Sequence, residues 1–342
     1  MHLLHRVAGA VVAVFLLLDV AGVAVAQKPT EFFKGKTVSL LIGFGVGGDD
    51  DLWGRVVAKH LGNHIPGRPT VVPQNVTGAA GLLVANRLYN TSPKDGTVIG
   101  MINRGIPFEP LLGGQGTQFD ALKMHWIGSP NRDTTVCAAR KDAAVQTMRD
   151  LFNRELEVGA TGSGADTAAY PDFLSAIVGM KFKVVRGYQG SHEIQLAMER
   201  NEVQGICVAY DSLARGTLFN TNQLNLLLQA ALDPDPRLKG VPSGLDLAHS
   251  DEERQALELF FTRARIGRPF VVAPEVPADR VLALRQAFDA TLQDPAFLAD
   301  AQTQKLDVIP MTGQQIAEII AKAYGTPSAI VKRTMQAMGR AN

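Results

Sequence analysis

Twice in this 342-residue chain a nearly uninterrupted apolar run ends in glycines and passes straight into a helical pattern. The first is TVSLLIGF (37–44), followed by GVGG and a helix predicted over Asp49 to Asn63, with Leu52, Val56 and Leu61 near helical spacing and three aspartates in its first turn. The second is LEVGATG (156–162), which leads into a helix from about Ala165. A run without polar alternation fits a parallel strand covered on both faces. Glycines between strand and helix fit a tight βα turn. Around the first unit lie a strand TVVPQNV, a helix GAAGLLVANRLYN, a turn SPKDG and a strand TVIGMIN, giving the order β-α-β-α-β. Around the second lie a strand DTTVCAAR, a helix from Asp142 to Arg154, strands FKVVRGY, VQGICVAY and LNLLLQA, a helix near Glu193–Arg200 and another from Asp251 to Arg263. RPFVVAP adds a strand, and the rest is helical apart from LDVIP. The pattern predicts two doubly wound α/β units. Ligands in such sheets sit beyond the carboxyl ends of the strands, so two facing units place both glycine loops on one cleft.

Residues 1–26 stand apart from this pattern. Arg6 with His2 and His5 precedes an apolar run from Val7 to Leu18, and Ala24-Val25-Ala26 forms a small-residue cleavage signal. The expectation is an exported protein whose mature chain begins at Gln27. The apolar run is shorter than the ~17–25 residues of a membrane anchor, and no Cys follows it for a lipid. With 34 Lys+Arg against 33 Asp+Glu, the chain lacks the basic excess of a nucleic-acid binder. Export also weighs against an enzyme that depends on cytoplasmic ATP or NAD.

The first loop, GFGVGG (43–48), contains G-x-G-x-x-G between strand and helix. Asp49, Asp50 and Asp51 crowd the place of a pyrophosphate, and Arg68 stands near where a ribose-binding acid belongs, so a dinucleotide site is disfavoured. The remaining readings are a structural turn and an anion site built from N–H groups at a helix start. The second loop, GATGSGADT (159–167), adds the hydroxyls of Thr161 and Ser163. A nucleophilic Ser163 lacks the G-x-S-x-G frame, because Thr161 precedes it by two, and no triad is assignable. Two such loops suggest two ends of one polar anion. Arg104 and Arg186 lie at or beyond strand ends, where either a carboxylate fork or a surface role is open. Cys137 and Cys207 sit in strand-like runs and are read as a bridge or as two buried thiols. Neither has metal-ligand spacing, and the histidines form no metal motif.

The segments GKTVSLLIGFGVGGDDDLWGR (35–55), QNVTGAAG (74–81) and PKDGT (93–97), behind a leader, resemble the solute receptors of tripartite tricarboxylate transporters, the Bug receptors. Gly47, Gly48, Asp51 and Arg55 match the first family hallmark, and Asn75, Gly78, Ala79 and Gly81 the second. Gly162-Ser163-Gly164 corresponds to the loop of the second domain, and Tyr188-Gln189-Gly190 to a Tyr-x-Gly turn. Prolines usual in the first loop are replaced by Gly45 and Val46, Ala80 stands for a glycine, and Asp49 and Asp50 add negative charge. The resemblance implies a periplasmic binding protein type II-like fold, with lobe one at 27–128 plus 265–342 and lobe two at 129–264. It implies a monomeric periplasmic receptor, without cofactor, that closes on a small organic carboxylate and docks on inner-membrane permease subunits. The implied ligand contacts are Gly45, Val46, Gly47, Gly48, Asp51, Asn75, Gly78, Ala79 and Arg104 from lobe one. Lobe two would contribute Thr161, Gly162, Ser163, Gly164, Ala165, Tyr188 and Asp211. It also implies that Cys137 and Cys207 lie on neighbouring strands of lobe two. A secreted hydrolase and a receptor for a signalling partner are the alternatives.

Overall fold

The computed structural model describes residues 28–162 and 164–340, so the expected leader and Ser163 lie outside the described residues. The strands are β1 (Thr37–Ile42), β2 (Thr70–Asn75), β3 (Val98–Met101), β4 (His125–Ser129), β5 (Thr135–Arg140), β6 (Leu156–Ala160), β7 (Phe182–Arg186), β8 (Gly205–Ala209), β9 (Leu224–Ala230), β10 (Phe270–Val272) and β11 (Met311–Thr312). They form two sheets, ordered β11-β4-β10-β3-β1-β2 and β7-β6-β8-β5-β9. In the first, β1 runs parallel to β2 and β3, while β10 inserts antiparallel between β3 and β4. In the second, β6 runs parallel to β7 and β8, and β5 runs antiparallel to β8 and β9.

The apolar run of β1 is buried on both faces. Val38, Leu40 and Ile42 join the core under the helix Asp49–His64, together with Trp53. Leu41 points the other way, to Val84 and Leu88 of the helix Leu82–Asn90. β5 divides likewise, with Cys137 and Ala139 in one core and Val136 and Ala138 in the other. Each sheet therefore carries apolar cores on both sides, the doubly wound arrangement. Cys137 lies directly opposite Cys207 on β5 and β8, fully buried, and the two are joined by a disulfide.

Among the elements that differ from the sequence expectation, two bear on the sheets. The helix expected over 142–154 is a loop with a 3₁₀ turn at Met148–Phe152. Gln146 Nε2 donates to the carbonyl of Lys141 (2.9 Å), and Thr147 with Asp150 forms a capping box that starts the turn late. β4 was not visible as a strand; the short run HWIGS owes its extension to its partners β10 and β11. At the C-terminus, the helix Ser328–Ala337 packs against the helices Asp251–Phe261 and Asp166–Val178. Its Ile330 joins a core of the first sheet and its Ala337 a core of the second.

The chain crosses between the sheets at 130–134 and at 262–269, and these segments touch. Arg268 N–H donates to Ser129 Oγ (2.9 Å), which donates to the carbonyl of Asn131 (2.7 Å). Gly267 has φ +52, and a Cβ there would fall 1.8 Å from Asn131 O, so both its conformation and its contact require glycine.

Candidate ligand-binding site

A cavity of about 250 Å3 lies between the two sheets. Residues just beyond the carboxyl ends of parallel strands line it: Gly43 after β1, Arg104 after β3 and Thr161 after β6, with Ala209 closing β8. The helices Asp49–His64, Asp166–Val178 and Ser191–Glu199 all start at its wall. Their backbone ladders open with Leu52 N–H to Gly48 O (3.0 Å), Ala169 N–H to Ala165 O (2.9 Å) and Ile194 N–H to Gly190 O (3.2 Å). Apart from Ala168 N–H, which also reaches Ala165 O (3.1 Å), the N–H groups just before those residues lie outside the ladders, at the positive ends of the helix dipoles.

The loop after β2 is held in an unusual shape. Gly78, Ala79, Ala80 and Gly81 have φ of 157°, 44°, 57° and 94°. A Cβ on Gly43 would lie 2.5 Å from Gly81 Cα, so glycine lets the first loop press against this one. Asn103 N–H donates to Ala80 O (3.2 Å) and fixes it from β3. Two alanines in the left-handed region at a cavity wall are strain held in place by packing.

The charged groups form a cross-sheet network. Arg268 donates to Asp49 (3.0 Å), Asp50 (3.1 Å) and Asp133 (3.3 Å). Arg104 donates through Nε to Asp166 (2.5 Å), through Nη1 to Asp133 O (2.9 Å) and through Nη2 to Thr135 Oγ1 (2.7 Å). Asp49 also takes bonds from Ser212 and Arg215, which belong to the segment after β8. Burial opposes ionisation of Asp49, but Arg268 and Arg215 outweigh it and hold its carboxyl below the usual range. Asp50 has less help: burial, with Asp49 and Asp166 adding repulsion, pushes it up to about 6 despite Arg268. Burial, opposed by Arg268 and Arg104, also raises Asp133.

Of the residues expected from the sequence, Gly45, Gly48, Gly78, Ala79, Arg104, Thr161, Gly162, Ala165 and Tyr188 line this cavity. Others do not. Val46 is 75% exposed and points away, because the tight turn through Gly47 (φ +86) turns it to solvent. Gly47 N–H is taken by Asp51, and Asp51 is held by Arg55 (2.9 Å) and Asn75 (2.7 Å), so Gly47, Asp51 and Asn75 brace the first loop from behind. Gly164 abuts Ala79 O instead of the cavity. Asp211 is buried against Arg237 (2.8 Å), and burial together with Asp133 pushes its carboxyl up to about 7. Arg104 reaches the cavity with each of its three guanidinium nitrogens bonded to the protein, which leaves one N–H on each Nη. Arg186 is exposed and pairs with Asp172. Trp53 and Trp126 are packed in cores.

Sequence reading passed over Arg268, Asp133 and Asp166. The available signal was charge inside apolar context: Arg268 opens the buried strand segment RPFVVAP, and Asp133 precedes the buried β5. Among the described residues no group of His, Cys, Asp or Glu is placed to hold a metal ion, and no helix is long and apolar enough to cross a membrane.

Two mixed α/β sheets with a cleft between them constitute a periplasmic binding protein type II-like fold. The chain matches the solved structure of the periplasmic binding protein BugD with a TM-score of 0.69 and 17% identity, covering 88% of this chain and 97% of that one. It matches MatC from Rhodopseudomonas palustris, solved with bound malate, at a TM-score of 0.67 and 15% identity over 89% of this chain and 99% of that one. In sequence it is 22% identical over 316 residues to the "UPF0065 protein in gbd 5'region" of Cupriavidus necator, covering 90% of each. No protein-family model matches the chain. The solved structures it resembles are thus of the kind its motifs resemble, and they share its fold.

Proposed function

We propose that this protein is a periplasmic receptor that captures a small organic carboxylate between two closing lobes and delivers it to an inner-membrane permease of the tripartite tricarboxylate type. The lobes are 27–128 plus 265–342 and 129–264, and export follows cleavage between Ala26 and Gln27. The observation that carries this reading is the cavity itself, where three helix starts, from both sides of the cleft, converge on about 250 Å3. Backbone donors at helix starts suit a carboxylate, and the volume, below the ~300 Å3 at which drug-sized sites begin, suits a small one. The ligand would meet the N–H groups around Gly45, Gly48, Gly78 and Ala79 on one side. Thr161, Gly162, Ala165 and Tyr188 would meet it on the other. Touching both lobes, it binds the closed state better than the open one and draws the equilibrium to closure. On this reading the protein binds its ligand without converting it. The bound malate in MatC is in keeping with this class of ligand. A thermal-shift screen against mono-, di- and tricarboxylates and amino acids tests the reading. A ligand at 100 times its Kd adds about 2.7 kcal/mol of stability, and no shift with any carboxylate-bearing compound sinks it.

A further inference from the structure

The non-helical run LDVIP (306–310) lies between the helix Pro295–Thr303 and β11. Leu306 is buried in a core of the first sheet, and Val308 packs against the same core. The residues that alternate with them meet the opposite side at three points. Ile309 N–H donates to Pro130 O (3.1 Å) in the first crossing segment. Asp307 accepts from Arg237 (2.6 Å), which sits on the 3₁₀ turn Pro236–Leu238 after β9. The Lys305 carbonyl accepts from Arg215 (3.3 Å), and the same arginine reaches Asp49 at the cavity wall. Each step of two residues in an extended chain covers roughly 6–7 Å, so these contacts run outward from the crossing along one flank of the cleft. Parting the sheets about the crossing segments therefore pulls Arg237 from Asp307, and Arg215 from Lys305 and Asp49. Arg237 is also shared inward, with Asp211 (2.8 Å) and Asp235 (2.7 Å), and lies over the Tyr210 ring (4.8 Å). Asp211 is 5% exposed, and its Oδ2 has no hydrogen-bond partner among the described residues.

Resting on the receptor reading above, we propose that segment 305–309 is a strap along the flank of the cleft, that Arg215 and Arg237 clasp it without ligand, and that the clasp tightens as Asp211 takes up a proton. The groups around Asp211 set the direction. Asp133 faces it from the first crossing segment, Arg237 and Asp235 from the 3₁₀ turn, Asp307 from the strap and Tyr210 from its own helix, Tyr210–Ala214. Arg268 and Arg104 stand behind Asp133. Arg132, Arg265 and Lys322 border the outer groove that Arg237 and Asp307 line, with Arg265 paired to Asp233 (2.7 Å). Burial, with repulsion from Asp133 and Asp307, pushes the Asp211 carboxyl up to about 7 despite Arg237. Parting the strap takes Asp307 away and admits water, so Asp211 holds its proton more tightly in the closed state than in the parted one. Closure thus takes up protons, and acid favours it. A receptor already partly closed asks less differential affinity of its ligand.

Pulsed electron resonance on the full purified chain, without ligand, reads closure directly. Nitroxide labels go on Arg87→Cys and Glu199→Cys, exposed positions on the two sides of the cleft. Cys137 and Cys207 are joined to each other, so only the new thiols take label. At pH 6 the short-distance population should dominate. Asp307→Asn should lower the ratio of short to long distances about threefold, the scale of one partly exposed ion pair. Raising the pH to 8.5 should lower that ratio in the parent about twofold or more. Asp211→Asn should hold it at its pH 6 value, and melts check the fold of each variant. Asp307 is 59% exposed, so Asp307→Asn keeps the test open should Asp211→Asn not fold: its pH response should shrink, because one source of the repulsion is gone. Distances unmoved by Asp307→Asn would overturn the clasp. A parent indifferent to pH would overturn the proton link. Neither outcome touches the receptor reading, which falls instead if the thermal-shift screen finds no carboxylate-bearing ligand.

Discussion

At the back of the cleft a Cβ on Gly267 would lie 1.8 Å from Asn131 O, whereas at the front a Cβ on Gly190 would lie 3.8 Å from Gly48 Cα. Glycines bring the two sides together at both ends, but at different separations. The rear contact excludes any side chain, and it is flanked by the buried bonds of Arg268 to three aspartates. The front contact is ordinary van der Waals approach between the loops of 45–48 and 189–191. On the receptor reading proposed above, such a cleft would pivot at the rear and part at the front. Charge is distributed along the same axis. Guanidiniums and carboxylates brace the wall near the crossing segments, while the backbone of the glycine loops is exposed to whatever enters.

If the rear is the pivot, altering it should damage the whole molecule, not the ligand site alone. Gly267→Ala forces an L residue to φ +52 and drives its Cβ into Asn131 O. The expected loss is roughly 4 kcal/mol or more, seen as a much lower denaturant midpoint. A midpoint within 1 kcal/mol of the parent would mean that the crossing segments yield easily, and the contrast between back and front would collapse. Next in size is Arg268→Met, which strips Asp49, Asp50 and Asp133 of a shared cation. Breaking a buried pair from one side costs about 3–5 kcal/mol, and the loss should shrink in acid as the stranded carboxyls protonate. A loss unchanged between pH 7 and pH 4 would assign Arg268 a packing role only.

The Asp50 carboxyl tests the border between the two regions. Its folded pKa of about 6 exceeds the ordinary aspartate value of 3.8, so the folded state binds the proton more tightly. Stability from this group is therefore full below pH 3.8, falls as pH rises towards 6, and stays lost above it. Asp50→Asn should stabilise the unliganded protein by about 1–3 kcal/mol at pH 8, with the gain fading below pH 4. Denaturation curves of both proteins across that range decide it. A destabilised variant at pH 8 would show that the bond to Arg268 outweighs burial.

The same axis separates what the sequence disclosed from what it concealed. The front was legible because its devices are local: a strand, glycines and a helix start are consecutive in GFGVGG and in GATGSG, and their chemistry does not depend on distant partners. The rear is made of pairs far apart in the chain. Arg268 meets Asp49 across 219 residues and Asp133 across 135, and Arg104 meets Asp166 across 62. Periodicity reports which face of an element is apolar, but it carries no information on which charges a fold will bring together. That is why Arg104 looked available for a ligand while Arg268 drew no attention. The short strand β4 was hidden for a related reason, since its pairing with β10 joins residues near 126 and 271. Asp51 shows the opposite case. The family resemblance implies a ligand contact for it, whereas its carboxylate oxygens already accept from Gly47, Arg55 and Asn75.

The smallest expected effect on stability lies at the front, and it is best measured as a pair. Gly190 has extended backbone (φ −170°), which any residue adopts, so a side chain there brings no conformational strain. Its Cβ alone would make ordinary contact with Gly48, but a leucine would have to pass between the two loops. Gly190→Leu should therefore change the unliganded denaturation midpoint by less than about 0.5 kcal/mol, as surface substitutions do. It should still weaken ligand binding about tenfold, because the closed state that the ligand requires becomes less populated. Val46→Ser supplies the control. Val46 sits in the same front region but points into solvent at 75% exposure, so its substitution should leave affinity and midpoint alike unchanged. Calorimetry with the compound found by the screen, beside melts of both variants, reads the comparison directly. Full affinity in Gly190→Leu would mean that the ligand does not need the front to close, and a tenfold loss in Val46→Ser would bring that outward side chain back into the site.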